Sequence, residues 1–509
     1  MPPQLGAENT LYYGDNLDVL RQSKYFKDES VDLCYIDPPF NSKRNYNQIY
    51  NNIGTEDRAQ AQAFVDTWVW DLHANKGLEE ILGNEGNRFT RQTIELIQGL
   101  RGVLGQGSLL AYLVSMALRI TEIHRILKPA GSFYLHCDPS AGHYLKLVLD
   151  SVFLSQGGDF RNEIVWCYTG PGSPGMRQFM RKHDTIFWYS KSDTWTFNAD
   201  EVRIAHSSKT RANYKEGLVG SGFVGADHLI HERGKVPEDW WQIAIAPRGK
   251  EYLGYPTQKP EALLERIIRA SSNTGDVVLD AYCGCGTTIT VAQRLNRRWR
   301  GIDITYQSIA LVLRRLEQQF GKDVAQSVLL DGIPSDMASA TALAHKRDDR
   351  LRKEFEKWAI LTYTNNRAII NDKKGGDGGI DGIAFFLTGA NDNAKVVFQV
   401  KSGNVGRGEV SKLNNDRARA GAELAVFLTL EPPTRGMREE ANAAGMYEHK
   451  LMGRSYPRIQ IVTIQEIVEQ HKRLDIPMSL EVLKTARAVA PGEQSPLPLH
   501  WQQPEEEPQ

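Results

Sequence analysis

The feature that most constrains this chain is the stretch Asp37-Pro38-Pro39-Phe40, which follows the apolar-rich run 31–36. A run of that composition suits a strand buried in a parallel sheet. Neither proline has an N–H group for a sheet ladder, so the strand must end there, and Pro38 biases Asp37 towards an extended conformation. The stretch, called the acceptor turn below, therefore offers hydrogen-bond acceptors and few donors, followed by the flat ring of Phe40.

The complementary ligand for the acceptor turn is the exocyclic amine of a nucleobase, which carries two N–H donors on an aromatic ring. Its nitrogen is a weak nucleophile because the lone pair is delocalised into that ring. Two acceptors that hold both hydrogens favour a tetrahedral nitrogen and aim its lone pair at an electrophile. Taken alone, four residues favour an ordinary Asp-Pro turn, so this interpretation depends on the rest of the chain.

Composition narrows the class of protein. The 509 residues are 41% hydrophobic and 24% charged, which indicates a globular chain long enough for two or three domains. The sequence shows no apolar run of membrane-spanning length and no signal peptide, and its five cysteines are too scattered for a disulfide framework or a zinc site. We therefore expect a cytoplasmic protein without a membrane partner. A net charge of −1 does not exclude DNA, because local basic clusters contact phosphates.

A strand, a glycine turn and a helix follow one another at 277–295. The strand ends at Asp280, and Gly284 and Gly286 allow backbone N–H groups to approach a ligand at the start of the helix. The next strand ends at Asp303, 23 residues after Asp280. That spacing is expected of a carboxylate that binds ribose hydroxyls. Together these elements indicate the first unit of a Rossmann-like fold.

This nucleoside-binding unit comes after the acceptor turn in the chain, although both belong at the carboxyl edge of one sheet. A circular permutation explains the order, with the strands near 279 and 302 lying beside those near 12 and 34. Asp15 then becomes a third acid along the edge, near the adenine of a cofactor.

The remaining segments of the first 320 residues have simpler patterns. We expect a substrate-facing lid or clamp at 41–104, with a disordered loop as the alternative. Helices are predicted at 109–127 and 261–270, and strands at 132–136, 162–166 and 185–189, with His136 as a polar strand-end residue. Irregular backbone at 195–250 suits a groove-reading surface or, equally, a solvated face. Its basic residues are Arg203, Lys209, Arg211 and Lys215.

The ordered motifs resemble the beta-class amino-methyltransferases of DNA, above all the modification subunits of type III restriction systems. The motifs that carry the resemblance are Gly14-Asp15-Asn16, the acceptor turn, Thr257-Gln258-Lys259-Pro260, Asp280 through Thr288, and Gly301-Ile302-Asp303. The resemblance covers about 10–320 and implies S-adenosylmethionine as the cofactor and double-stranded DNA as the partner. It implies catalytic roles for Asp37, Pro38, Pro39 and Phe40. The cofactor-binding residues that it implies are Asp15, Lys259, Asp280, Tyr282, Gly284, Gly286, Thr287 and Asp303.

The same resemblance favours adenine N6 as the target, since cytosine N4 relatives more often begin the turn with serine; cytosine N4 is the alternative. Methylation at cytosine C5 needs a cysteine nucleophile, usually after proline, and the sequence has no Pro-Cys pair. Ala281-Tyr282-Cys283 departs from the Pro-Phe-small pattern of relatives, but Gly284 and Gly286 remain, so cofactor binding is expected. A base must flip out of the duplex to reach Asp37 and would stack on Phe40.

The carboxyl-terminal third has its own candidate site. A charged helix at 348–364 precedes a glycine-rich loop at 374–382 and strands at 383–387 and 396–401. On paired strands Asp381, Gln399 and Lys401 are expected to converge, with Gln399 and Lys401 on one face. An acid and a second oxygen ligand for a divalent cation, with a lysine near the attacked phosphate, make a phosphodiesterase site. The same spacing equally fits a glycine loop beside exposed polar residues.

This segment, about 345–470, resembles the Mrr-type branch of the PD-(D/E)xK endonucleases. It shares the Gly-Asp-Gly-Gly-Ile-Asp loop at 376–381 and a Gln-x-Lys at 399–401 in place of Glu-x-Lys. The resemblance implies catalytic Asp381, Gln399 and Lys401, with Mg²⁺ held by Asp381 and Gln399. Because glutamine gives up one negative charge at the metal, Asp377 or Glu354 is expected to compensate.

The sequence therefore predicts an α/β chain with two units. A circularly permuted Rossmann-like methyltransferase spans 1–320, with recognition regions at about 45–105 and 165–250. After a connector at 321–345, a smaller α/β restriction-endonuclease-like domain spans 346–475, and a disordered tail follows at 476–509.

The predicted function is site-specific methylation of adenine N6 with a restriction-type nuclease in the same chain. One alternative is a carboxyl-terminal domain that only binds DNA or a partner, and another is a nucleic-acid-binding protein with a degenerate cofactor fold. The sequence has no Walker-type phosphate loop, so an ATP-dependent restriction motor would be a separate subunit. A homodimer is compatible with the sequence.

Overall fold

The computed structural model describes most of the chain. The described residues are 9–39, 68, 70–169, 177, 179–208, 231–246, 251–253, 255, 257–334, 336–345, 349–364, 368–371, 379–388, 393–403, 405–449 and 453–476. Phe40, Lys209, Arg211, Lys215, Asp377 and the tail from 477 onwards lie outside them. Among the described residues, every helix is too short or too polar to cross a bilayer.

A nine-stranded mixed sheet forms the centre of the larger unit, in the order β6-β4-β5-β3-β2-β7-β8-β1-β9. Its strands are β1 (Thr10–Tyr13), β2 (Val31–Ile36), β3 (Leu127–Cys137), β4 (Asp159–Cys167), β5 (His183–Ser190), β6 (Trp240–Gln242), β7 (Val277–Asp280), β8 (Arg298–Asp303) and β9 (Leu329–Asp331). β3, β2, β7, β8, β1 and β9 run parallel, while β5 is antiparallel to both β3 and β4. The predicted permutation is confirmed, because β7 and β8 lie between β2 and β1.

Helices cover both faces of this sheet, as its buried parallel strands require. They are α1 (Asn16–Leu20), α2 (Leu72–Gly83), α3 (Arg91–Leu104), α4 (Ser108–Ile126), α5 (Gly142–Phe153), α6 (Glu261–Ser271), α7 (Thr287–Arg294) and α8 (Tyr306–Phe320). One core contains apolar residues of α2 to α5, and the other contains those of α6 to α8. Alternate residues of β2 enter opposite cores: Leu33 and Tyr35 one, Cys34 and Ile36 the other.

The transition from α4 to β3 differs from the prediction. The sequence predicted a helix to 127 and a strand only from 132, but β3 begins at Leu127, directly after α4. Val31 pairs with Leu127 and Leu33 with Ser132, so the register shifts between them. The irregularity takes Pro129 out of the regular ladder, where its missing N–H would otherwise cost a hydrogen bond.

The described part of the long segment 41–104 is an integral layer of the domain. α2 and α3 pack on α4 and α5, and they bury Leu78, Ile81, Ile97 and Leu100 in the same core as β2. Residues 41–67 lie outside the described part of the chain. The expectation of a lid or clamp therefore does not extend to α2 and α3.

The segment 321–345, expected to connect two domains, has secondary structure of its own. It contains α9 (Lys322–Ser327), β9 and α10 (Met337–Ala344), and β9 extends the large sheet by pairing with β1. α10 then packs on α11 (Asp349–Tyr363) of the smaller unit.

The smaller unit is built on a five-stranded sheet in the order β10-β11-β12-β13-β16. Its elements are β10 (Ile369–Ile370), β11 (Gly382–Leu387), β12 (Asn393–Lys401), α12 (Arg407–Arg419), β13 (Leu424–Thr429), α13 (Arg435–Ala443), β14 (Met446–His449), β15 (Arg454–Pro457), β16 (Ile459–Thr463) and α14 (Ile464–Val468). The predicted stripe Phe355, Trp358 and Leu361 of α11 is buried, and it belongs to one apolar core with residues of α8.

Candidate functional site

The carboxyl ends of β2, β7, β8 and β1 lie side by side and form one edge of the large sheet, called the carboxyl edge below. Tyr35 pairs with Asp280, and Tyr13 pairs with Asp303. Asp37 follows β2 by one residue, and Asp280 and Asp303 end their own strands. The structure therefore brings the predicted acids to a single edge, as the permuted order required.

Asp37 has one engaged and one unengaged carboxylate oxygen. Its Oδ2 accepts a hydrogen bond from Lys259 Nζ at 2.5 Å, and both side chains are largely buried. Its Oδ1 is buried and has no hydrogen-bond partner within the described part of the chain. A buried acceptor left unpaired costs about 1–3 kcal/mol. Such an atom therefore marks a position where a donor is expected to bind.

Lys259 was predicted to contact the cofactor, but the structure places its ammonium group against Asp37. It also lies near Asp184, at the start of β5. Burial acts to raise the pKa of Asp184, but the hydrogen bond to His136 and the charge of Lys259 outweigh it and lower the pKa. Lys259 thus stands between two carboxylates beside the acceptor turn.

A buried polar network lies beneath that turn and was missed from the sequence. His136 Nδ1 lies 2.9 Å from the Tyr35 hydroxyl, and His136 Nε2 lies 3.3 Å from Asp184 Oδ2. The Tyr168 hydroxyl donates to Asp184 Oδ1 at 3.3 Å. His136 is fully buried, so it acts as a link between β2, β3 and β5. The strand-end interpretation had recognised its polarity but not its partners.

Asp280 and Asp303 are buried acids with raised pKa values. Burial raises the pKa of Asp280 to about 7, and the charges of Asp37 and Asp303 add to the effect. Burial likewise raises the pKa of Asp303 to about 6, against hydrogen bonds from Thr305 and Gly284. Both carboxyl groups therefore change charge near neutral pH, where binding a polar ligand would be sensitive to their ionisation.

The glycine turn between β7 and α7 is tied to Asp303. The Gly284 N–H donates to Asp303 Oδ2 at 2.9 Å. Gly284 and Gly286 adopt φ values of +47° and +73°, which disfavour residues with a Cβ. A Cβ at Gly286 would also lie 2.7 Å from Val312 Cγ2 on α8. The second glycine is therefore required by packing as well as by backbone conformation.

Replacing Gly286 with alanine is expected to lower the free energy of unfolding by about 2–4 kcal/mol, combining left-handed strain with overpacking against Val312. Gly99→Ala is the matched control, because Gly99 lies in α3 with open space around it. That change should leave stability unchanged or raise it by up to about 1 kcal/mol. Urea unfolding of both variants checks the difference, and equal stabilities would refute the packing argument.

Three other residues predicted to bind the cofactor are engaged within the protein. Asp15 caps α1 through the Leu17 N–H and accepts two hydrogen bonds from Arg119 Nη2, at 2.9 and 3.1 Å. The Thr287 hydroxyl lies between the Lys259 carbonyl and Arg315. The Tyr282 N–H donates to Asp280 Oδ1 at 3.1 Å. These contacts support the shape of the carboxyl edge.

The second candidate site lies in the smaller unit, where Asp381 directly precedes β11 and the predicted Gln399 and Lys401 lie on the paired strand β12. Asp381 Oδ2 accepts from the Val400 N–H at 2.8 Å, which fixes the acid between β11 and β12. Burial raises the pKa of Asp381, whereas the positive charge of Lys401 acts to lower it. Gln399 Nε2 donates to the Gly379 carbonyl at 2.7 Å. Its Oε1 is buried without a partner in the described structure.

The acid whose charge acts on Asp381 in the structure is Glu356. Burial and the charge of Asp381 together raise the pKa of Glu356 to about 7, although Lys353 and Lys401 act to lower it. Glu354 instead contacts Tyr13 and Tyr306 of the larger unit. Asp377, the other predicted candidate, lies outside the described residues.

The donor set at the second site fits a hard divalent cation. Within the described ranges, no group of three or more His, Cys, Asp or Glu side chains forms a metal cluster. Mg²⁺ is commonly held by only one or two carboxylates together with water and phosphate oxygens. Asp381, Glu356 and the unpaired Gln399 Oε1 match that requirement, and Lys401 adds a positive charge beside them.

Comparison with known proteins separates the chain into the same two units as the structure, because two different family models match them. The family model for DNA methylases matches residues 31–313, more than half of the chain, and the model for restriction endonucleases matches residues 352–469. Type II methyltransferase M.HpaI of Haemophilus parainfluenzae is 27% identical over 356 residues, which are 69% of this chain and 87% of that protein. DNA adenine methyltransferase YhdJ of Escherichia coli K12 is 28% identical over 322 residues, 62% of this chain and 85% of that protein. The solved M1.HpyAVI–SAM complex is 17% identical with a TM-score of 0.35, covering 60% of this chain and 98% of that one.

Proposed function

The chain belongs to the DNA methylase family and carries a restriction endonuclease domain, and from this premise we propose that it methylates adenine N6 in double-stranded DNA using S-adenosylmethionine. We further propose that its carboxyl-terminal domain cleaves DNA with Mg²⁺. The proposed domains are 1–320 and 346–475, and the proposed compartment is the cytoplasm. A homodimer or a separate ATP-dependent subunit would be an addition to these activities.

The observation that carries the methylation proposal is the unpaired Oδ1 of Asp37. This oxygen is buried and lies in a turn whose two prolines offer no N–H. An exocyclic amine would supply the missing donor, while Lys259 holds the other carboxylate oxygen in place. The amine would then present its lone pair to the methyl group that bound S-adenosylmethionine supplies. Asp37 thus orients and polarises the nucleophile without a covalent intermediate.

Adenine is favoured over cytosine by two observations. The acceptor turn begins with Asp37, the form that the methyltransferase resemblance associates with adenine N6, and the Escherichia coli relative is named a DNA adenine methyltransferase. Cytosine N4 offers the same pair of N–H donors and is therefore the alternative that an assay must distinguish.

The residues of the carboxyl edge fit a nucleoside cofactor. Asp303 would accept hydrogen bonds from ribose hydroxyls, and the turn at Gly284 and Gly286 would let backbone approach the ligand. Asp280 adds a second buried carboxylate at the same edge. Asp15, Tyr282 and Thr287 would complete this site; in the protein they contact Arg119, Asp280 and Arg315, respectively.

Affinity for S-adenosylmethionine is expected to depend on pH through these acids. Their pKa values are about 7 for Asp280 and about 6 for Asp303, and the ionised forms are the better acceptors. The dissociation constant should rise by about tenfold between pH 8 and pH 6. Calorimetric titration across that range tests the prediction. A constant affinity would show that neither acid must ionise to bind the cofactor.

The stability of the ligand-free protein should fall as the pH rises, whereas its affinity for S-adenosylmethionine should increase. Because both folded pKa values lie above that of an unfolded aspartate, about 4, the contribution of these acids is complete below pH 4. It is lost as the pH rises through 6 and 7. Asp280→Asn is the variant that should flatten both profiles.

Cleavage is favoured over mere DNA binding by the convergence of Glu356, Asp381 and Lys401. A domain that only bound DNA would have no need for two half-buried acids that repel each other beside a lysine. Mg²⁺ held by the acids and Gln399 would polarise the phosphate, while Lys401 would stabilise its negative charge.

Both activities can be tested in one assay. The full-length protein is incubated with tritiated S-adenosylmethionine and unmethylated duplex DNA, without and then with Mg²⁺. We expect label in the DNA under both conditions and fragments only with Mg²⁺. Label without fragments would support the binding-only alternative for the second domain. No label on DNA of varied sequence would contradict the methylation proposal.

A further inference from the structure

A carboxylate of the endonuclease domain reaches the carboxyl edge of the methyltransferase domain. Glu354 Oε2 accepts hydrogen bonds from the Tyr306 backbone N–H at 3.0 Å and from the Tyr13 hydroxyl at 3.5 Å. Glu354 is buried, and it lies within the segment that matches the restriction endonuclease model. The endonuclease domain therefore supplies a hydrogen-bond acceptor to two residues of the methyltransferase domain.

Both contacted residues adjoin Asp303. Tyr13 ends β1 and pairs in register with Asp303, and the Gly14 N–H donates to the Asp303 carbonyl at 2.9 Å. Tyr306 is the first residue of α8, and the preceding Thr305 donates its N–H and its hydroxyl to Asp303 Oδ1, both at 2.9 Å. Glu354 therefore contacts the start of α8 through its backbone and the end of β1 through the Tyr13 side chain, and both segments adjoin Asp303.

The position of Glu354 also suits its charge. α8 has 15 residues, and the positive end of its dipole favours an anion at Tyr306. Lys357 Nζ lies 2.9 Å from Glu354 Oε1, so the buried carboxylate has a cationic partner as well. Glu354 thus has its contacts at the domain boundary and not at the proposed endonuclease site. Two residues further along α11, Glu356 lies about 200° around the helix and faces Asp381 instead.

We propose that Glu354 is a positioning residue of the cofactor site, acting on Asp303 through Tyr13 and the start of α8. This inference rests on the proposed function, because it assumes that S-adenosylmethionine binds at Asp303. It assigns a residue of the endonuclease domain to the methylation reaction. Affinity for the cofactor then depends on a side chain that does not touch it.

Glu354→Ala in the full-length protein tests this role. Calorimetry with S-adenosylmethionine is expected to give a dissociation constant about five- to tenfold higher than that of the wild type. The KM for S-adenosylmethionine in methylation should rise by the same factor, with kcat at saturation close to wild type. Glu354→Gln keeps an acceptor oxygen for the Tyr306 N–H and should restore most of the affinity.

Thr362→Val is the matched control at the same domain contact. It removes the hydrogen bond from the Thr362 hydroxyl to the Tyr306 hydroxyl, 3.2 Å long, but leaves the Tyr306 N–H and its acceptor intact. Wild-type affinity is expected. Should Glu354→Ala fail to fold because Lys357 loses this carboxylate, Glu354→Asp keeps the charge, shortens its reach and carries the same expectation.

The outcomes separate this inference from the proposed function. Wild-type affinity in Glu354→Ala, or an equal loss in Thr362→Val, would overturn the positioning role while leaving methylation at Asp37 in place. If the wild-type protein itself gave no binding heat and no transfer of label from S-adenosylmethionine, the proposed function would fail and the role of Glu354 with it.

Discussion

Asp37→Ala is expected to lower the rate of DNA methylation by about 10³-fold or more. The change removes the unpaired Oδ1 that would accept the amine hydrogen, and it also removes the oxygen that holds Lys259. Cofactor affinity should be kept or slightly improved at neutral pH, because the charge of Asp37 helps to raise the pKa of Asp280. Initial rates of tritium transfer and calorimetry with S-adenosylmethionine measure the two effects separately.

Asp193→Ala is the control for this experiment. Asp193 is exposed just after the end of β5, at the opposite edge of the sheet from the acceptor turn. Its removal should leave methylation unchanged. Wild-type methylation by Asp37→Ala would show that the acceptor turn is an ordinary strand ending and that the reaction occurs elsewhere.

Lys401→Ala is expected to reduce Mg²⁺-dependent cleavage by about 10²-fold or more. The positive charges of Lys401 and Lys353 both act on Asp381 and Glu356, and Lys401 is the one on β12 that would stabilise the attacked phosphate. Methylation should proceed at the wild-type rate, because the change lies in the second sheet. Gel analysis of DNA fragments and tritium transfer, made on one preparation, compare the two activities.

Lys322→Ala is the matched control, since Lys322 is exposed at the start of α9 and outside both sites. It should cleave and methylate normally. Undiminished cleavage by Lys401→Ala would place any nuclease activity at a site other than Asp381, Gln399 and Lys401.

The carboxyl edge could be predicted because short stretches of sequence are enough to indicate each of its strands. Each strand of the edge is a short run that ends at an acid or within two residues of one, and parallel strands bring their carboxyl ends to one side of a sheet. The order of the motifs then permitted one arrangement, in which β7 and β8 lie between β2 and β1. The start of β3 at Leu127 could not be predicted in the same way. A register shift opposite Val31 and Leu33 allows that strand to continue past Pro129, and such a shift depends on its partner.

The side-chain partners within the sites depend on contacts between distant segments. Lys259 and Asp37 are separated by 222 positions, and only the folded sheet shows that they form an ion pair. Glu354 and Glu356 flank the buried Phe355, so the helical pattern alone does not show which acid faces Asp381. In the folded protein Glu354 accepts hydrogen bonds from Tyr13 and Tyr306, which leaves Glu356 as the acid that faces Asp381.

The most direct test of the central claim is the chemical identity of the methylated nucleoside. Duplex DNA labelled by the wild-type protein from tritiated S-adenosylmethionine is digested to nucleosides, which are separated by chromatography beside authentic standards. The acceptor turn at Asp37 predicts that the label elutes with N6-methyladenosine in its deoxy form and is absent after Asp37→Ala. Label in N4-methylcytosine would contradict the assignment of adenine, and label that survives Asp37→Ala would contradict the site.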